Sequence, residues 1–235
     1  MTVRGNTTVV AVHGAWAYGS SWKDVILGLE GQGLRVIAAP IPLTSLGDDT
    51  AALKRSIARS QGPVILGAHA YAGAVIAAVN DERVKALVYV AGLAPDEGET
   101  VAQVFCRDEK HSQSPQLAPD ADGFIWMPDE GFRNAFSHHA TAEQIALSAG
   151  VQRPIALKCI QEQVPTPAWR SRPSWYLIAR GGPHDQPQNA TLYGETNESN
   201  YKVARRRSHT TAERATESCG HHHGSEAGSV LLSGR

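Results

Sequence analysis

The chain is 235 residues long, 42% hydrophobic and 19% charged, with a formal net charge of -1. A single α/β layer domain is the default at this length, because such folds commonly run to roughly 200 to 250 residues. Balanced charge supplies no long-range pull on nucleic acid or an anionic membrane, so both partners are disfavoured. The early apolar stretch Val9 to Val12 is too short for a leader's apolar region or for a span of roughly 20 residues, which points to the cytoplasm. Cys106, Cys159 and Cys219 are odd in number and lack C-x-x-C spacing, so neither a disulfide framework nor a zinc knuckle is suggested and reduced thiols are expected.

In chain order, Thr7 to His13 (TTVVAVH) is a short apolar run ending at Gly14, as a buried parallel strand would be. Ser20 or Ser21 can cap a helix with Trp22, Val25, Ile26 and Leu29 on one face, stopping at Gly31 or Gly33. Arg35 to Ile41 predicts the next strand, and Asp48 or Asp49 a helix start that buries Leu53 and Ile57. Pro63 to Ala68 is a strand leading into Ala72 to Asn80, a helix of small apolar residues suited to close packing. Val84 to Val90 is a further strand. Strands and helices alternating through short connections predict an α/β fold, a mostly parallel sheet with helices on both faces.

Beyond Gly92 prolines and aromatics replace the regular pattern. Residues 1–95 read as the first part of a core, 96–172 as an inserted cap or lid, 173–179 as the last core strand and 180–235 as a disordered or non-native tail. The clearest cap helix is Thr141 to Gly150, with Thr141 in a capping box and a glycine stop. The tail has few branched apolar residues and carries five of the ten histidines, so it offers little from which to build a core.

Ligand sites in open parallel sheets lie beyond the carboxyl ends of the strands. Three strand ends stand out: His13-Gly14-Ala15-Trp16, Gly67-Ala68-His69-Ala70-Tyr71-Ala72-Gly73, and Gly92-Leu93-Ala94-Pro95-Asp96. Together with PLTSL and SWYLIA, the stretches VAVHGAWAYGSSW, GAHAYAGAVI and ALVYVAGLAPDEGE closely resemble α/β-hydrolase-fold proteins, particularly a small bacterial esterase-like group. The resemblance ends at about Ala179. It implies hydrolysis of a carboxylic ester or similar acyl substrate, no metal or organic cofactor, and a pocket formed by His13, Gly14, Ala15 and Trp16.

The departure falls on the nucleophile. Where the family's elbow reads G-x-S-x-G, this chain has Ala68, His69, Ala70, Tyr71 and Ala72, and a methyl group at Ala70 cannot attack a carbonyl. Ala68 in place of glycine is expected to crowd the turn. His69 and Tyr71 are the remaining candidates for proton transfer, although His13 and His69 also suit a structural role at strand ends, and Tyr71 suits packing equally well. Asp96 is a conceivable acid, but Pro95-Asp96-Glu97-Gly98 is ordinary turn chemistry. Cys219 with His221 to His223 has metal-ligand types without a supporting scaffold, and Arg205 to Arg207 reads as solvated chain. Trp126, Phe132 and Phe136 are expected to pack the cap.

The expected function is therefore that of a hydrolase-fold protein with an incomplete catalytic triad and little ester hydrolysis. The alternatives are a noncatalytic binder of an ester-like or acyl small molecule, or a non-serine enzyme on the same fold. Self-association through an exposed sheet edge is expected as well.

A displaced reading frame would account for the tail. Back-translating Asn189 to Glu198 with chosen codons and reading one nucleotide later gives T-Q-R-F-M-A-K-R-M-K, an amphipathic helix like the one that follows the acid in this family. Similar treatment of Arg180 to Gln188 and of Ala204 to Thr210 restores an acid and a histidine; in the present frame Asp185 and His209 have suitable chemistry, but their surroundings give no reason to expect the right geometry. The gene's nucleotide sequence is expected to encode these words in the shifted frame, and their absence would end the idea.

Overall fold

The computed structural model describes residues 6–107, 115–133, 140–179, 193–198 and 201–206. Five parallel strands form the main part of the sheet: β1 (Thr8–Val12), β2 (Arg35–Ala39), β3 (Val64–His69), β4 (Val84–Val90) and β7 (Ser174–Ala179). Between them run α1 (Lys23–Glu30), α2 (Leu46–Ala58) and α3 (Ala72–Ala77). A hairpin of β8 (Tyr193–Glu198) and β9 (Tyr201–Arg206) adds an antiparallel edge, giving the order β2-β1-β3-β4-β7-β9-β8. The α/β expectation is met. These two stretches of the anticipated tail join the sheet through backbone pairing, which a sequence poor in apolar residues can still supply. The rest of 180–235 lies outside the described residues, as do Asp185, His209, Cys219 and His221 to His223.

Val10 and Val12 on β1, Leu66 on β3, and Leu87 and Tyr89 on β4 are completely enclosed. Against them α2 turns Leu46, Leu53 and Ile57, seven and four residues apart and so on one face of the helix. Two helix starts differ from expectation. Ser45 caps α2, its hydroxyl accepting from the Asp48 amide at 2.9 Å, so Asp49 is left free to turn into the core. Ser20 and Ser21 lie inside a 3-10 turn, Gly19–Trp22, that precedes α1 without a side-chain cap. The face expected for α1 is only partly right: Trp22 is buried, but Val25 faces solvent and no residue of α1 is fully buried.

Between β4 and β7 the chain forms α4 (Val101–Phe105), β5 (Phe124–Ile125), α5 (Asp129–Gly131), α6 (Ala142–Gly150), β6 (Ile155–Ala156) and α7 (Leu157–Gln161). Thr141 and Gln144 close the capping box expected at α6, and Thr100 with Gln103 forms a second box at α4. Arg170 fastens this region by bonding to the carboxylates of Asp96 and Glu97, both at 2.6 Å. Asp96 is thus part of a surface ion pair. Phe132 is fully buried, Trp126 is half exposed with its indole N–H on Asp120, and Phe136 lies outside the described residues. Among the described residues no helix is long and apolar enough to cross a membrane.

Burial separates two leucines of similar appearance. Leu53→Ala is expected to lower unfolding free energy by about 2–5 kcal/mol, because the methyls vacate a packed interior. Leu27→Ala, at a site 62% exposed, should change it by less than about 0.5 kcal/mol. Chemical denaturation of both variants checks this, and equal losses would contradict the packing described.

Candidate functional site

β1 and β3 are adjacent, with Val12 paired to Ala68, so the loops that leave their carboxyl ends meet. At this meeting Ala70 adopts a left-handed φ of 50°, reversing the chain between β3 and α3 within a single residue. An alanine there costs of order 1–2 kcal/mol relative to ordinary backbone, so the surroundings must hold the turn. They do so through the Ala70 carbonyl, which accepts from the Gly73 amide at 3.0 Å and the Leu93 amide at 2.9 Å. Gly73 permits this closeness, since a Cβ there would run into the Leu93 carbonyl oxygen. Ala68 is not the crowded position expected of it: it lies in the regular ladder between Val12 and Tyr89.

Gly14 brings the first loop against the elbow. A Cβ at position 14 would stand 3.1 Å from the His69 carbonyl oxygen and 3.2 Å from the Ala70 Cβ, so only glycine fits without displacement. Trp16, with φ 58°, is held by its amide on the Arg153 carbonyl at 3.1 Å and by its indole on the Ile125 carbonyl at 2.9 Å. Ala15 is buried between them. Among the described residues no group accepts a hydrogen bond from the amide of Ala15 or of Tyr71. Two amide donors on facing loops are what a developing oxyanion requires.

Tyr71 is 3% exposed, and its hydroxyl donates to Asp49 Oδ2 at 2.7 Å. Asp49 is fully enclosed; its Oδ1 accepts from the Leu43 amide at 2.7 Å, and the Cys159 thiol donates to Oδ2 at 3.7 Å. One carboxylate therefore ties together the elbow, the loop after β2 and α7. Burial raises the Asp49 carboxyl above its usual range despite these bonds. Burial and the Asp49 charge together hold the Tyr71 hydroxyl firmly protonated and push the Cys159 thiol up to about 12.

Both histidines are kept neutral. Burial lowers His69 below the ordinary imidazole range. It lowers His13 too, partly offset by the bond from Nδ1 to the Gly14 carbonyl and reinforced by the Arg153 charge. His13 is 1% exposed, and its Nε2 is enclosed with no hydrogen-bond partner. Of the residues singled out at the first two strand ends, Gly14 thus meets His69 and Ala70, while Trp16 turns to the cap and the Tyr71 hydroxyl to Asp49. Asp49 went unrecognised, having been read as a helix cap; the only signal was the doubled acid Asp48-Asp49, of which one is redundant at a helix start. Among the described residues no group of three His, Cys, Asp or Glu side chains is placed to hold a metal. A cleft of about 440 Å³ between Asp129, Arg133 and Ile145 lies in the cap, and none of the residues that line it comes from the elbow or the Gly14 loop.

The Asp49 carboxyl makes a pH prediction. In the unfolded chain it titrates at its ordinary 3.8, and in the folded chain higher. As pH rises above 3.8 the unfolded form loses its proton first, so Asp49's contribution to stability falls until the folded carboxyl also ionises. Asp49→Asn removes this titration. The stability of the original chain minus that of the variant should therefore decrease as pH rises from about 4 in denaturant titrations. A constant difference would contradict the burial effect.

No curated protein matches the chain by sequence. Among solved structures, polyneuridine aldehyde esterase aligns with a TM-score of 0.66 at 14% identity, over 80% of this chain and 85% of its own. Tomato methylketone synthase I, in a variant complexed with beta-ketoheptanoate, aligns with a TM-score of 0.61 at 18% identity, over 72% and 77%. An extracellular α/β-hydrolase from a Paenibacillus species, described as sharing structural and functional homology with tobacco salicylic acid binding protein 2, aligns with a TM-score of 0.58 at 20% identity, over 72% and 76%. At these identities the likeness is one of fold. Residues 9–230 match the alpha/beta hydrolase family, and the chain belongs to that family.

Proposed function

We propose that this chain is an acyl-hydrolase scaffold that still seats a small ester-like or acyl ligand, with little or no ester hydrolysis. The observation that carries the reading is Ala70 itself, held at φ 50° in the strand-to-helix turn and pressed against Gly14, with a methyl where the fold presents an attacking atom. In acyl transfer an oxygen or sulfur at this position adds to the carbonyl carbon, a base takes its proton, and amide donors hold the oxyanion. The Ala15 and Tyr71 amides would take the last of these roles. The first has no candidate at the elbow, because the Tyr71 hydroxyl is committed to Asp49 and stays protonated. His69 and His13, both neutral, can accept a proton but have no attacking group to take it from. In hydrolases stripped of their triad, polarisation and binding alone leave a rate about 10³ to 10⁴ over water.

A second reading, turnover without a serine, is favoured by the likeness to a methylketone synthase described with a bound β-keto acid. A β-keto acid loses carbon dioxide when its own carbon–carbon bond breaks and the electron pair moves onto the polarised ketone oxygen; water then protonates the enolate carbon. No attacking atom is needed. The same pair of amides would serve.

The purified chain, a chain with the shifted downstream frame restored that keeps Ala70, and a frame-restored Ala70→Ser variant are to be assayed with p-nitrophenyl acetate and with acetoacetate. The disabled-hydrolase reading expects ester turnover in the repaired variant only. Ester hydrolysis by the original chain at a comparable rate would contradict it, whereas carbon dioxide release from acetoacetate by a frame-restored chain that keeps Ala70 would favour the second reading. Saturable binding without turnover in either variant would leave a binding protein.

A further inference from the structure

We infer that Arg153 is a carboxylate-recognising residue of the same ligand seat, so that the preferred ligand is an acid anion rather than its neutral ester. This rests on the reading that a small acyl ligand sits over the elbow. Arg153 stands where the loops after β1 and β2 meet the cap. Its backbone carbonyl takes the Trp16 amide at 3.1 Å, two residues beyond the Gly14 that touches Ala70. Its guanidinium lies 5.6 Å from the centre of the Tyr18 ring, and Nη1 donates to the Ile41 carbonyl at 3.2 Å.

These contacts fix the plane of the guanidinium while using one of its five N–H donors. The charge remains unanswered: among the described residues no carboxylate lies within ion-pair distance of Arg153. Arg107 on Glu99 and Arg170 on Asp96 and Glu97, by contrast, face acids of this chain. A half-buried, oriented and uncompensated guanidinium whose charge is felt at His13, the residue before Gly14, is suited to a planar anion, which it can bind through two parallel hydrogen bonds. A carboxylate is the smallest such group compatible with an acyl pocket.

The test is calorimetric titration of the full chain with hexanoate and with methyl hexanoate, repeated on Arg153→Met, which keeps a stem to lie on Tyr18, and on Arg153→Lys. The inference expects the original chain to bind hexanoate about tenfold or more tightly than its methyl ester, as a charge-assisted bond is worth. That preference should disappear in Arg153→Met and survive in part in Arg153→Lys. Equal affinity for acid and ester in the original chain overturns the inference, and that result needs no variant to fold. So does an acid preference that persists in Arg153→Met. Binding of the ester alone overturns it while leaving the ligand seat standing, and binding of neither overturns both.

Discussion

The contact between Gly14 and Ala70 is the constraint on which the rest depends. Two loops leave neighbouring parallel strands, and they can touch only because one residue has no side chain and the other accepts a left-handed backbone. The adjoining features serve that contact. The Leu93 amide pins the Ala70 carbonyl, Gly73 lets α3 start close enough for it, and the cap holds Trp16 from two sides. A side chain at position 14 would push the loops that carry Ala15 and Tyr71 apart.

A second layer of control comes from a single buried carboxylate. Asp49 binds the residue after the elbow, the loop after β2 and the thiol of α7, so core, elbow and cap share one acceptor. An enclosed carboxylate is unfavourable unless its oxygens are satisfied, and three donors do this here. The arrangement also disposes of Tyr71 and Cys159 as nucleophiles. Each keeps its proton because ionising it would place a second negative charge beside Asp49 in a dry interior. The electrostatics around the elbow therefore keep its neighbouring hydroxyl and thiol protonated.

Much of this was legible in the sequence, for reasons that differ between elements. Apolar runs such as VVAV and the β-branched stretch from Val84 to Val90 report strands because a buried parallel strand must be apolar on both faces. Thr141 and Gln144 report a helix start because their bonds are local. The strand-end loops are legible for the same reason: glycines and histidines at those positions answer to backbone geometry within a few residues. Asp49 was not legible, since its three donors come from positions 43, 71 and 159 and only the fold assembles them. Nor were the exposed Val25 or the edge hairpin. One depends on how closely α1 lies on the sheet, the other on pairing between backbones that carry little side-chain pattern.

Mass spectrometry of the intact chain after incubation with an excess of p-nitrophenyl acetate tests the central claim most directly. If the elbow has kept its shape and lost its attacking atom, no acyl adduct maps to the peptide spanning residues 64–77 or to Cys159, while a lysine or N-terminal adduct at solvent-exposed sites follows the reagent's ordinary reactivity. A stoichiometric acyl group on Tyr71, His69 or Cys159 that forms and then hydrolyses would contradict it, for the chain would then possess a working nucleophile.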